Sequence, residues 1–208
     1  MAFQGQHLFP NLHTVTVNLF SGDSTAYLPL LLSSRLKIIQ IINRNPYASA
    51  DYMWGDDVAL FLMQIQPYAA QIECLNTNLP SPKPSFFASV ASFTRLKELK
   101  ISIAQSTSIN YTDLLNLSKL EHLTDLNLTA RSFTWHSEGL HTTPLTLPKL
   151  CYLSICCLLG DLTKLLLLSD FPVLTNLIHR FMLPTSLHPV ALSVLQWPQS
   201  GGCHWGIR

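Results

Sequence analysis

One phrase recurs along the chain and limits what it can become. In its full form it is Leu-x-x-Leu-x-Ile, as at Leu96, Leu99 and Ile101. Spacings of three and then two suit neither a helix nor a plain strand, whose apolar residues recur every three to four and every two positions. They suit a chain that turns a corner and then runs extended with alternating faces. Other copies lie at Leu12/Val15/Val17, Leu36/Ile39/Ile41, Leu123/Leu126/Leu128 and Leu150/Leu153/Ile155, with shortened ones at Ile72/Leu75 and Leu174/Leu177. The seven leading residues, at 12, 36, 72, 96, 123, 150 and 174, are 24, 36, 24, 27, 27 and 24 residues apart.

Each step holds one strand phrase and room for one return segment. The returns read as helical: Tyr27 to Ser34, the run after Asp56-Asp57, Phe86 to Val90 after Pro84-Ser85, Leu114 to Leu117 after Thr112-Asp113, and Leu162 to Leu168 after Asp161. Acidic and Pro residues at such starts favour a helix N-terminus. Strand and helix alternating at a fixed period predict an α/β chain with parallel strands and helical crossovers. Steps of this size fall in the leucine-rich repeat range of about 20–29 residues. Each unit buries its apolar face against its neighbours, so the expected architecture is a solenoid of about seven repeats. It is a ribonuclease-inhibitor-like horseshoe, with strands on the concave face and helices or irregular segments on the convex face.

The repeat domain is expected over residues 9–184, after a short uncapped lead over 1–8. An irregular, non-repeat tail is expected over 185–208, where Pro189, Pro198, Gly201-Gly202 and Gly206 break the pattern. Asn43–Gly55 is expected to protrude as a loop, Leu79–Pro84 to form a stiff connector, and Arg131–Thr146 to form a second irregular loop.

Thirteen basic and twelve acidic residues leave a net charge of +1, and no run of basic residues marks a nucleic-acid or anionic-membrane surface. The apolar run Leu158 to Leu168 is broken by Gly160, Asp161 and Lys164 and falls short of the ~20 residues of a membrane span. No secretory signal pattern opens the sequence, and Cys74, Cys151, Cys156, Cys157 and Cys203 are odd in number without a framework spacing. Both features predict reduced thiols in the cytoplasm or nucleus. The matches to the N-glycosylation pattern at Asn110, Asn116 and Asn127 then carry no modification.

Chemistry-bearing patterns are weak. Cys151-x4-Cys156 with His179 does not have zinc-ligand spacing, and core thiols are the simpler reading. His136-Ser137-Glu138-Gly139-Leu140-His141 lacks the order that sets two histidines and a base on one helix face. Asp56-Asp57 is explained by a helix start. There is neither a phosphate-binding glycine loop nor a nucleophile elbow. The sequence predicts no enzyme, no cofactor and no metal. The rival reading is an enzyme or metal site in the 43–55 and 131–146 loops.

The positions between the apolar ones are expected to point to the concave face of the sheet, where solenoids bind partners. The candidate partner-binding residues are Thr14, Thr16, Ile38, Gln40, Cys74, Asn76, Lys97, Glu98, Lys100, Asp125, Asn127, Tyr152 and Ser154. Lys97, Glu98 and Lys100 belong to the fourth of the seven phrases and are expected at the centre, with Asp125 close enough to pair with either lysine. Arg35 and Lys149 are expected at the rim.

The phrases are led by Phe9-Pro10-Asn11-Leu12, Leu147-Pro148-Lys149-Leu150 and Phe171-Pro172-Val173-Leu174, with Phe93-Thr94-Arg95-Leu96 as a variant. This F/L-P-x-L-x-x-L-x-L register, over about residues 8–178, resembles the irregular leucine-rich repeat domain of fungal F-box proteins, particularly those of mushroom-forming fungi. The resemblance implies non-catalytic protein recognition, the substrate-binding role in a Skp-cullin-F-box ubiquitin ligase. Two features depart from that family. The Asn ladder beyond each phrase is replaced by Phe20, Arg44, Pro80, Ala104, Arg131, Leu158 and Met182. The F-box is not found before the first phrase, so a Skp-type adaptor is implied only if an F-box lies outside this chain. The remaining alternative is a degenerate or truncated product without independent function.

Overall fold

The computed structural model describes residues 8–19, 27–43, 54–79, 84–103, 108–135, 143–181 and 190–196. All seven phrases open with the same turn. The amide of each leading residue donates to the carbonyl three positions earlier: Leu12 to Phe9, Leu36 to Ser33, Ile72 to Ala69, Leu96 to Phe93, Leu123 to Leu120, Leu150 to Leu147 and Leu174 to Phe171. The bulky or Pro-flanked lead residue thus sits at the start of a tight corner, and the chain leaves it extended.

In chain order the elements are β1 (Thr14–Leu19), a 3-10 turn (Leu28–Leu31), β2 (Ile38–Asn43), α1 (Trp54–Ile65), a 3-10 segment (Gln66–Gln71) and β3 (Cys74–Leu79). Next come α2 (Pro84–Val90), β4 (Glu98–Ile103), β5 (Ser108–Asn110), α3 (Tyr111–Leu114), a 3-10 segment (Leu115–Lys119), β6 (Asp125–Thr129), β7 (Ser132–Thr134) and β8 (Leu145–Thr146). The chain continues with β9 (Tyr152–Cys157), α4 (Leu159–Leu167), β10 (Ser169–Asp170), β11 (Asn176–Phe181) and β12 (Val190–Gln196).

The main sheet runs β1-β2-β3-β4-β6-β9-β11-β12. Its first seven strands are parallel, and their register aligns Thr14, Ile38, Cys74, Glu98, Asp125, Tyr152 and Asn176, each two residues past its leading residue. The same two-pronged bond joins successive strands where they begin. The His13 carbonyl accepts from the Lys37 and Ile38 amides, and the pattern repeats at the carbonyls of Lys37, Glu73, Lys97, Thr124 and Cys151. Seven sequence-distant segments are therefore locked in one frame.

The apolar positions of the phrase form rows across the inner face. One row is Val15, Ile39, Leu75, Leu99, Leu126, Leu153 and Leu177, all buried. The next is Val17, Ile41, Thr77, Ile101, Leu128, Ile155 and His179, also buried. The leading residues Leu36, Ile72, Leu96, Leu123 and Leu150 add a third. Behind the sheet, Phe61 of α1, Phe86 and Phe87 of α2, and Phe93 of the fourth turn are fully buried, with Phe86 and Phe87 edge to face at 5.3 Å. Burying such side chains is the main stabilising term, worth roughly 1.5–3 kcal/mol each before ordering costs.

Helices form in the returns after β2, β3, β4 and β9, and two returns differ from what the sequence suggests. Tyr27 to Ser34 yields only the 3-10 turn Leu28–Leu31, which no side chain caps and which ends where Leu32 turns extended. The helix near Thr112 is capped one turn earlier than its acidic residue implies: the Asn110 Oδ1 accepts from the Thr112 amide at 3.1 Å.

Several boundaries differ from expectation. Asn43 ends β2, and Trp54 and Gly55 open α1, so only 44–53 of the expected first loop remains, outside the described residues. Leu79 and Pro84 likewise belong to β3 and α2. The Arg131–Thr146 stretch is not wholly irregular: β7 pairs in parallel with β5, and β8 with β10, making two small second-layer sheets. His136, Glu138 and His141 lie outside the described residues. Within the expected irregular tail, β12 pairs antiparallel with β11, with a register shift between His179 and Arg180. It breaks the parallel series, and where an irregular tail was expected it is a strand. Among the described residues no helix is long and apolar enough to cross a membrane.

Candidate functional site

The outer face of the main sheet carries the residues between the apolar rows. In-register pairing arranges them in lines about 4.8 Å per strand apart. Twelve of the thirteen candidates are exposed or half-buried: Thr14, Thr16, Ile38, Gln40, Cys74, Asn76, Lys97, Glu98, Lys100, Asp125, Asn127 and Tyr152. Ser154 is buried, with only 2% of its surface accessible. It is a small side chain between its larger register neighbours Asn127 and Ile178, so it offers little to a partner. Cys156, two residues on in the same strand, is buried for the same reason between Thr129 and Arg180.

The charges near the centre are organised by the frame. Glu73 bridges two strands: its Oε1 is 3.1 Å from the Lys37 Nζ and its Oε2 is 2.8 Å from the Lys97 Nζ. Hydrogen bonds from Lys97 and then Lys37, with their charges, hold the Glu73 carboxyl below its ordinary pKa. Lys97 therefore pairs with Glu73 rather than with Asp125, because the two share one row and the row one residue further on holds Asp125. There Glu98 lies directly opposite Asp125, like charges side by side. Each takes a neutral donor instead of a cation. The Thr124 hydroxyl donates to the Asp125 Oδ2 at 2.6 Å, and the Cys74 thiol bonds to Glu98. Burial first, and then the Glu98 charge and hydrogen bond, push the Cys74 thiol up to about 11, so it stays protonated. Lys100 stands between Asn76 and Asn127. At the far edge, the Thr16 hydroxyl reaches the Gln40 Oε1 at 3.2 Å.

The cysteines divide by face. Cys151 is exposed, whereas Cys157 points inward, its thiol pushed up to about 12 by burial and by the nearby Asp161 charge. His179 is buried in the inner row with its Nε2 3.2 Å from the Cys157 carbonyl. The pattern Cys151, Cys156 and His179 is thus split between opposite faces. Among the described residues no three His, Cys, Asp or Glu side chains group so as to hold a metal ion.

A second cluster lies on the helical side and was not legible as a unit. The Asp161 carboxylate does not cap its own helix. Its Oδ2 accepts from the Phe133 amide at 3.0 Å and its Oδ1 from the Trp135 Nε1 at 2.8 Å. Trp135 stacks on Tyr111 at 5.2 Å, and the Tyr111 hydroxyl donates to the Leu168 carbonyl at 2.6 Å while accepting from the Leu145 amide at 3.2 Å. Every polar atom named is used, so the cluster is a clasp joining three return segments rather than a binding pocket.

Compared with known protein families, curated proteins and solved structures, the chain matches none.

Proposed function

We propose that the chain is a leucine-rich repeat solenoid of about seven units whose outer sheet face recognises a protein partner without catalysis. One observation carries this reading: seven parallel strands in a single register bury two apolar-dominated rows on one face and present the other as ordered rows of polar and charged side chains. A face of this kind holds many weak contacts at fixed spacing, which suits an extended partner surface and not a small substrate. By its resemblance to the repeats of fungal F-box proteins the partner would be a ligase substrate, and a Skp-type adaptor is implied only if an F-box lies outside this chain.

The test is capture of partners from cell extract by wild type and by a Lys100→Glu, Asn127→Arg variant at the centre of the face. Both positions are on the surface, so the variant should keep its melting temperature. Loss of captured partners supports the reading. Equal capture by the two proteins removes the outer face as the site.

A further inference from the structure

The repeat register builds a basic ridge that no local stretch of sequence displays. The residue just before each leading residue forms its own line along the edge where the strands begin. Arg35, Arg95, His122 and Lys149 occupy it on the second, fourth, fifth and sixth units, and all four are exposed. Their side chains meet as the register requires: the Lys149 Nζ lies 2.9 Å from the His122 Nδ1. A lysine can only donate, so this imidazole nitrogen accepts. Two residues on, past the buried leading residue, come the exposed Lys37 and Lys97. Glu73 joins both, one carboxylate against two ammonium groups. Among the described residues no carboxylate lies within ion-pair distance of Arg35, Arg95 or Lys149. In a chain of net charge +1, five cations along one edge, with Glu73 and Glu121 as the acids there, are a segregation of charge.

We propose that this ridge docks an extended acidic peptide segment of a partner protein. The inference rests on the reading of the sheet as a recognition surface and names the chemistry it takes. Arg35, Arg95 and Lys149 are separated by two strand steps each, about 10 Å per gap and about 19 Å in all. A polyproline-II segment repeats every three residues at about 9.3 Å. Glutamates at positions i, i+3 and i+6 of such a segment would present one carboxylate to each cation, and the arginines would bind theirs bidentately. A nucleic acid or an anionic bilayer fits less well. Both present charge continuously, and Glu98 and Asp125 stand only one row beyond Lys97 and Thr124, where a polyanion would meet them.

The experiment is fluorescence anisotropy with a labelled peptide carrying Glu at every third position over three repeats and Pro or Ala between. A peptide of the same composition with its glutamates contiguous, a thymidine oligonucleotide and phosphatidylserine vesicles are measured beside it. Binding of the spaced peptide should weaken at least tenfold in an Arg35→Gln, Arg95→Gln, Lys149→Gln variant, and should fall as salt is raised. The Lys100→Glu, Asn127→Arg variant should bind the peptide as wild type does, so the ridge and the outer face fail or stand separately. Unchanged affinity in the triple variant, no preference for the spaced peptide, or tighter binding of the oligonucleotide or vesicles each overturns the proposal.

Discussion

Thr77 offers the sharpest test of the structure. It lies on β3 in an otherwise apolar inner row, in register with Ile41 on one side and Ile101 on the other, and all three are fully buried. Its Oγ1 has no hydrogen-bond partner among the described residues. An unpaired buried hydroxyl costs about 1–3 kcal/mol in protein mutational terms. Thr77→Val keeps the β-branched shape that suits a strand and replaces the hydroxyl by a methyl group. It should therefore stabilise the chain by about 1–3 kcal/mol. For a chain of this length each kcal/mol moves the melting temperature by about 2–4 °C. The reverse change in the next strand, Ile101→Thr, places a second hydroxyl in the same row and should cost about 2–4 kcal/mol. Urea melts at constant slope give both differences. A Thr77→Val variant that is less stable than wild type would refute the reasoning, for it would mean that the hydroxyl has a partner and that the row is wrongly placed.

Other outcomes follow from the same frame. Leu126→Ala, at the middle of the buried row, should lose about 2–5 kcal/mol in denaturant melts. Gly160→Ala in α4, where a β-carbon meets open space, should gain about 0.4–1 kcal/mol by restricting the unfolded chain. In a Cys203→Ser background, thiol labelling of the native protein should modify Cys151 first and Cys74 slowly, and reach Cys156 and Cys157 only on unfolding. The Glu73 carboxyl titrates lower when folded, so its stabilising contribution is present above its ordinary value of 4.5 and is lost as pH falls through the lowered one. The difference in melting temperature between wild type and Glu73→Gln should therefore shrink below that pH, and a constant difference down to strongly acid pH would count against the Lys37–Glu73–Lys97 bridge.

The strands were legible because each one's signal is local: three apolar residues with fixed spacing specify both the corner and the buried face. Leu96, Leu99 and Ile101 contain that instruction without help from any other repeat. The returns were less legible because they are set by what they pack on. Asn110 caps α3 although the acidic residue three places later looked like the start, and Asp161 serves Phe133 and Trp135 at a sequence distance of 28 and 26 residues rather than its own helix. The candidate face was legible as a list of positions but not as a set of pairs. Asp125 looked like a partner of Lys97 or Lys100, yet Lys97 pairs with Glu73, and the register sets Asp125 against Glu98 and Lys100 against Asn127.

The same distinction explains why a chain with no basic run can carry a basic ridge. The steps between phrases vary from 24 to 36 residues, but each of the six parallel strands after β1 begins on the same two-pronged bond to its neighbour. All the variation is therefore absorbed on the return side, and the register along the sheet edge is independent of it. Residues 60 and 54 apart in sequence, Arg35 with Arg95 and Arg95 with Lys149, are brought two strands apart in space. Net charge and local charge runs average over this arrangement and miss it. Moving one cation by a single residue makes the point testable. A variant that exchanges Arg95 with Leu96 keeps composition and net charge but places an arginine in the buried row. It should unfold the fourth unit, because an unpaired buried charge costs several kcal/mol. Exchanging Arg95 with the exposed Thr94 should leave folding intact and remove the middle cation from its line, weakening the spaced acidic peptide and not the contiguous one. If both exchanges left peptide affinity and melting temperature as in wild type, neither the frame nor the ridge would have the strictness argued for them.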